Sequence, residues 1–272
     1  MKTKQTLICG LLAVMFVLTF GAYSAVAQEL RLTGQTDIFS FTRIKGGNEY
    51  SVSAGKAATG AVDIPAYYRL DAESDYLPVT EIGMGGFKGR NITSVTIPST
   101  VTSIGLSAFE NCRNLVSITV PSSVTSIGQS AFNACINLTS ITILTNVTSI
   151  GYYAFMNCTS LTSVTIPASG TRIRDFTFMN CTSLASITLP EGVTIDFKAF
   201  SGCTGIKEIT IPRGATLREQ IFEGWFTSQT IYIEGHANRA STIAAKWHKD
   251  WDKDTTYPQE IPTYAKIVYQ GK

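Results

Sequence analysis

The sequence predicts a repeat solenoid, a right-handed β-rich coil with short helical or irregular turns and a distinct capping segment at each end. Three observations predict it. The pairs Ile97-Pro98, Val120-Pro121, Ile143-Leu144, Ile166-Pro167, Leu189-Pro190 and Ile211-Pro212 recur at intervals of 23, 23, 23, 23 and 22 residues. Whole units return with them: Val101-Thr102-Ser103-Ile104-Gly105 reappears at 124–128 and again at 147–151. Phe109, Phe132, Phe155, Phe178, Phe200 and Phe222 keep the same register, as do Leu115, Leu138, Leu161, Leu184 and Ile206. A unit of this length cannot bury its apolar residues alone, so successive units must stack and share them.

A period in the low twenties with aliphatic positions spaced as Leu115-x-x-Ile118-x-Val120 is the pattern of a leucine-rich repeat. Within each unit Leu115 to Val120 and its equivalents read as a short strand with Ile118 and Val120 pointing inward, because side chains alternate along a strand. Proline at the next position ends the strand, since it cannot donate to a ladder. Val124 to Ile127 form a return path, and a turn or short helix near Ala131-Phe132 closes the coil. Stacked strands should place equivalent residues about 4.8 Å apart, turning each column into a continuous buried row.

The consensus I-P-x-x-V-T-S-I-G-x-x-A-F-x-x-C-x-x-L-x-S-[IV]-T closely resembles the BspA-like type of leucine-rich repeat over residues 91–231, with a weaker copy reaching back to Ile64-Pro65. The resemblance implies surface exposure and adhesion to host matrix proteins or to other cells. Leu144 stands in place of proline, Gly170 of valine and Asp196 of the turn glycine, and the units beginning at Pro190 and Pro212 are shorter or degenerate. These departures predict a local change in curvature.

The flanks divide by pattern. Lys2 and Lys4, an apolar run from Leu7 to Phe20, and Ala25-Val26-Ala27 give residues 1–27 the form of a secretory signal peptide cleaved near Ala27. Residues 28–62 read as an N-terminal β-hairpin cap, with strands Phe39–Ile44 and Tyr50–Ser53 around Gly46-Gly47. Residues 63–90 form an irregular first repeat carrying an insertion, Ala66 to Pro78. After the last repeat strand at Ile231, residues 232–272 read as a C-terminal cap: an amphipathic helix at Ser241–Trp251 and a closing strand at Lys266–Tyr269.

Composition narrows function. Charged residues are 15% of the chain and the net charge is +2, with Lys2 and Lys4 in the leader, so the exported chain is close to neutral. That balance lacks the basic footprint of a nucleic-acid binder and the polybasic clusters that hold a protein to anionic lipid. Beyond the leader no stretch is long and apolar enough to span a bilayer, so no integral membrane association is expected.

Five cysteines follow the leader: Cys112, Cys135, Cys158, Cys181 and Cys203. No close C-x-x-C pair suggests a metal site, and parallel side chains in one column do not present the geometry of a disulfide. They read as buried thiols filling a small apolar slot. His236 and His248 are the only histidines, too few for a nucleophile–base pair or a metal site. Asp63, Asp71, Glu73, Asp75 and Glu81 leave carboxylate chemistry formally open near the first repeat, but such a run reads as a solvated loop. Nothing in the chain calls for a cofactor, and it reads as a non-catalytic protein.

The outward strand positions carry Ser94 and Thr96, Ser117 and Thr119, Ser140 and Thr142, Ser163 and Thr165, and Ser186 and Thr188; charge enters only with Glu208. Hydroxyl rows suit exposed strands, and repetition alone predicts them. The variable positions before each phenylalanine are more informative. Tyr152, Tyr153, Phe176 and Phe197 occupy neighbouring columns where other units carry Leu106, Ser107, Gln129 and Ser130, and Met156 and Met179 follow at the next variable position. Exposed together, they would form an aromatic patch of the kind that binds ligands; the alternative is that they pack sideways. The sequence therefore reads as a secreted or cell-surface recognition protein whose partner is an extracellular protein or glycan. A structural spacer, or an enzyme or inhibitor with its site around Tyr67, Tyr68, Asp71 and Tyr76, are the alternatives. The oligomeric state, the ligand and the binding face are not written in the repeat. Of five glycosylation sequons, those at Asn157 and Asn180 are by-products of the repeat.

Overall fold

The computed structural model describes residues 37–69, 75–169, 172–225, 228–234 and 266–270. The chain opens with β1 (Phe39–Ile44), β2 (Glu49–Ala54), β3 (Gly60–Asp63), β4 (Tyr67–Tyr68) and β5 (Leu77–Ile82). The repeats then contribute two strands each: β6 (Ile92–Thr96) and β7 (Ser103–Ile104), β8 (Ser117–Val120) and β9 (Ser126–Ile127), β10 (Ser140–Ile143) and β11 (Ser149–Ile150). The series continues with β12 (Ser163–Thr165), β13 (Arg172–Ile173), β14 (Ser186–Thr188), β15 (Thr194–Ile195), β16 (Glu208–Ile211) and β17 (Thr216–Leu217). It ends in β18 (Thr230–Glu234) and β19 (Lys266–Gln270).

These strands stack into ladders on different faces of one coil. One sheet runs β1-β2-β5-β7-β9-β11-β13-β15-β17, with β4 attached to β5. A second runs β3-β6-β8-β10-β12-β14, and a third holds β16, β18 and β19. Pairing between repeats is parallel and in register, as in Ser140↔Ser117, Ile141↔Ile118, Thr142↔Thr119 and Ile143↔Val120. One residue of slip would turn every inward isoleucine to solvent, so the apolar columns hold the register. The outward hydroxyls are exposed as expected, from Ser94 and Thr96 through Ser186 and Thr188.

The core is a set of columns. Phe109, Phe132, Phe155, Phe178, Phe200 and Phe222 stack with centroids 5.2–6.2 Å apart and planes within 11° of parallel. Phe87 of the irregular first repeat adds one ring that the sequence reading missed, 5.4 Å from Phe109. Each buried ring is worth roughly 1.5–3 kcal/mol from desolvation, and stacked neighbours add about 0.5–1.5 kcal/mol per pair. Phe39 meets one end of the column edge-on at 6.5 Å, and Trp225 meets the other at 4.6 Å from Phe222.

The side of the coil that carries the phenylalanines is built of turns, and among the described residues the only helical segment is the 3-10 turn Lys45–Gly47. Two residues per turn have positive φ. One column holds Gly85, Ser107, Ser130, Tyr153, Phe176, Lys198 and Gln220; the other holds Gly89, Asn111, Ala134, Asn157, Asn180, Gly202 and Gly224. Asparagine and glycine tolerate this conformation best, which explains the sequons at Asn157 and Asn180 by backbone geometry. The turns bond rung to rung: the Ser107, Phe109 and Asn111 N–H groups donate to the carbonyls of Gln129, Ala131 and Asn133 at 2.8, 2.7 and 2.8 Å. Gly105, Gly128 and Gly151 permit the close approach between coils, since a Cβ on Gly151 would lie 2.4 Å from the Gln129 nitrogen.

The five cysteines are free and buried. They do more than fill space. Each Sγ–H donates to the carbonyl of the phenylalanine one coil earlier, from Cys112 to Phe87 at 2.9 Å through Cys203 to Phe178 at 3.0 Å. Threonine hydroxyls act the same way on the outside: Thr125 donates to Thr102 and Thr148 to Thr125, while Thr139 donates to Val116 and Thr162 to Thr139, at 3.0–3.3 Å. The recurrent hydroxyls and thiols satisfy carbonyls between coils.

The N-terminal segment joins the coil directly. β1 and β2 form an antiparallel hairpin, and β2 then pairs parallel with β5. The insertion folds back as β4 against the start of β5, and Tyr68 stacks on Phe41 at 3.8 Å and meets Tyr50 edge-on at 5.2 Å. Tyr68 is thus structural, while Asp71 lies outside the described residues, as do the leader, both histidines and the expected helix at 241–251. Lys266–Gln270 forms a strand, parallel to β18.

The predicted irregularity also has a physical form. Val101-Thr102-Ser103-Ile104 becomes Val193-Thr194-Ile195 and Ala215-Thr216-Leu217, one residue shorter on one face only. That face stays paired, Ile173↔Ile195 and Ile195↔Leu217. On the other face the ladder ends at β14 and restarts at β16. The break falls at the first of the two shortened coils, since β16 and β18 pair in register across the second. Ile187 and Leu189 are consequently half-buried, whereas Ile118, Val120, Ile141 and Ile143 in the same columns are buried.

Candidate functional site

The aromatic positions lie on the turn side of the coil and come together in three successive units. Tyr153 and Phe176 share one positive-φ column, with φ of 59° and 60°. Their rings stack at 5.0 Å with planes 5° apart. Phe176 meets Phe197 edge-on at 5.3 Å. Tyr152 lies in the adjoining column and is exposed at 37%, while Tyr153, Phe176 and Phe197 are half-buried. Met156 and Met179 are also half-buried; their N–H groups close the same turns onto the carbonyls of Tyr153 and Phe176 at 3.1 and 3.2 Å.

A bulky side chain at positive φ carries strain of about 1–2 kcal/mol, of the same order as the roughly 0.5–1.5 kcal/mol its ring stack returns. The fold does not demand aromatics there, because the same column accepts Ser107, Ser130, Lys198 and Gln220.

Charged groups that the sequence reading left out frame the rings. The Arg174 guanidinium sits 5.1 Å from the Tyr152 ring centroid and donates to its hydroxyl at 3.2 Å. Lys198 lies 5.2 Å from the Phe197 ring, and Asp175 accepts the Phe197 N–H at 3.2 Å. Arg174 occupies the column of the turn glycines, 22 residues after Tyr152, and only the stacked register brings it onto that ring. Beside it, buried Asp196 receives Arg172 through Nε at 2.7 Å and Nη2 at 3.2 Å, with Arg218 at 3.8 Å. The hydrogen bond and charge of Asp196 raise the Arg172 pKa above its ordinary value. The arrangement offers rings, cations and hydrogen-bonding groups on one surface. Among the described residues no group of three His, Cys, Asp or Glu side chains is placed to hold a metal ion.

The stacked strand ladders, the phenylalanine column and the turn face define a leucine-rich-repeat solenoid. The family described as BspA type Leucine rich repeat region (6 copies) matches residues 80–195 and 171–245. The chain belongs to this family. A leucine rich cell surface protein from Faecalibacterium prausnitzii A2-165 is similar in structure, with a TM-score of 0.63 and 34% identity over 72% of this chain and 53% of that one. A leucine-rich repeat protein from Eubacterium ventriosum gives 0.57 and 27% identity over 68% and 50%. The T. pallidum Leucine Rich Repeat protein gives 0.59 and 25% identity over 79% and 94%. The chain thus spans about half the length of the first of these. No curated protein matches it. Among the described residues no helix is long and apolar enough to cross a membrane.

Proposed function

We propose that this protein is a secreted or cell-surface, non-catalytic binding protein, and that Tyr152, Tyr153, Phe176 and Phe197, with Met156 and Met179 beside them, contact its ligand. The observation that carries this reading is the pair Tyr153–Phe176: two aromatic residues held at positive φ where the fold accepts serine, lysine or glutamine. Residues that break a local rule with no net folding gain concentrate at functional sites. Exposed Tyr152, with Arg174 over its ring, adds the aromatic and guanidinium chemistry that dominates protein recognition. Similarity to a leucine rich cell surface protein supports the location. The ligand class is an extracellular protein or glycan.

The test is binding of the chain from Gln28 onward to an array of matrix proteins and glycans, beside a Tyr152→Ala/Tyr153→Ala variant whose fold is verified by circular dichroism. Saturable binding that the folded variant loses supports the reading. Binding that the variant retains moves the site off this column, and no binding to any matrix protein or glycan favours a spacer.

A further inference from the structure

We propose that the opening between β14 and β16 is a second binding site, one that takes an arginine side chain presented by an extended basic polypeptide. It is a groove of about 800 Å³ on the strand face, within the range that holds ligands. It exists because the ladder stops at β14 and restarts at β16. Its floor is apolar: Ile187, Leu189 and Pro212 line it. Its walls carry three carboxylates, Glu191, Glu208 and Glu234, and among the described residues no cationic side chain lines it.

That combination selects the occupant. The outward positions of the five preceding strands hold only serine and threonine, so Glu208 departs from the repeat at the coil where the ladder opens. The Tyr232 hydroxyl lies 3.3 Å from Glu208, whose charge pushes the phenol's pKa up. The groove is therefore negative and part apolar. A bare metal ion would leave the apolar floor unused, and no three acidic groups among the described residues converge to hold one. An arginine uses both features: its methylene stem packs on apolar surface while the planar guanidinium meets carboxylates in bidentate fashion. The unpaired edges of β14 and β16 leave backbone donors and acceptors at the rim for the chain that carries the arginine.

The probe is a fluorescent nonapeptide of glycine and serine with one central arginine and one flanking lysine, titrated into the full chain at 0.15 M salt. A second peptide carries norleucine in place of arginine. The expected result is saturable binding of the first peptide, at least tenfold weaker for the norleucine peptide and for Glu208→Gln/Glu234→Gln. Charge-matched Glu219→Gln/Glu223→Gln, on the turn side, should bind as the unaltered chain does. Carbodiimide cross-linking of the lysine should map to Glu191, Glu208 or Glu234. Absence of saturable binding, equal loss in the charge-matched control, or cross-links elsewhere would overturn the proposal. The Tyr152→Ala/Tyr153→Ala variant should bind the peptide normally, which separates this groove from the aromatic column.

Discussion

The indole Nε1–H of Trp225 donates to the carbonyl of Phe200 at 2.9 Å, the bond that Cys203 makes to Phe178 one coil earlier with its thiol at 3.0 Å. Trp225 stands 22 residues after Cys203, so it is the last member of the cysteine column under another chemistry. The larger ring also tilts against Phe222, where the phenylalanine column ends.

Trp225→Phe should therefore destabilise the protein by about 0.5–1.5 kcal/mol, the net worth of one hydrogen bond, since the Cys203 N–H still donates to the Phe200 carbonyl at 3.1 Å. Trp225→Ala should cost about 3–5 kcal/mol, because a cavity is added. Urea titration followed by circular dichroism measures both; equal stability of Trp225→Phe and the unaltered chain would refute the assignment.

Burial pushes the thiols of Cys112, Cys158 and Cys203 up to about 12, and those of Cys135 and Cys181 well above 9.0. In the folded chain they should resist alkylation at pH 8 and react only as it unfolds, which mass spectrometry after iodoacetamide treatment reads directly. A thiol whose folded pKa exceeds its unfolded value contributes stability in full below the unfolded pKa and loses it as pH rises towards the folded one. Stability should accordingly be flat with respect to these groups up to about pH 8 and fall between about pH 9 and 12. Rapid labelling of the native state at pH 8 would contradict the buried column.

Ala134 occupies a positive-φ position, φ 58°, that neighbouring units fill with asparagine or glycine. Ala134→Gly should stabilise the protein by up to about 1 kcal/mol, strain relief exceeding the entropy glycine adds to the unfolded chain. Gly151→Ala should do the reverse by about 3 kcal/mol or more, since its Cβ would strike the backbone of the previous coil. Thermal unfolding should order the variants Ala134→Gly, unaltered, Gly151→Ala from highest to lowest Tm.

Tyr153→Asn should leave stability within about 1 kcal/mol of the unaltered chain, as relief of positive-φ strain offsets the lost stack with Phe176. Ligand binding should fall while the melting temperature holds. A large drop in Tm would instead make Tyr153 a packing residue.

How much was legible follows from how each feature is encoded. The strands, the phenylalanine, leucine and cysteine columns and the outward hydroxyls were readable because each recurs every 22 or 23 residues. Phe87 and Trp225 were not, since each belongs to a column whose repeat is irregular or whose residue type changes. The role of the thiols as donors was hidden as well, because the accepting carbonyl lies 25 or 26 residues away.

By itself the sequence determined the period, and with it the coil, the register and the buried columns of the regular repeats, because apolar periodicity dictates which side chains must leave water. Only the tertiary structure decided how the coils meet. Positive φ at Tyr153, the placement of Arg174 over Tyr152 and the opening between β14 and β16 all depend on contacts between stacked units. A one-residue shortening is visible in the sequence, but whether it bends, closes or opens a ladder depends on how two faces of one coil share the strain.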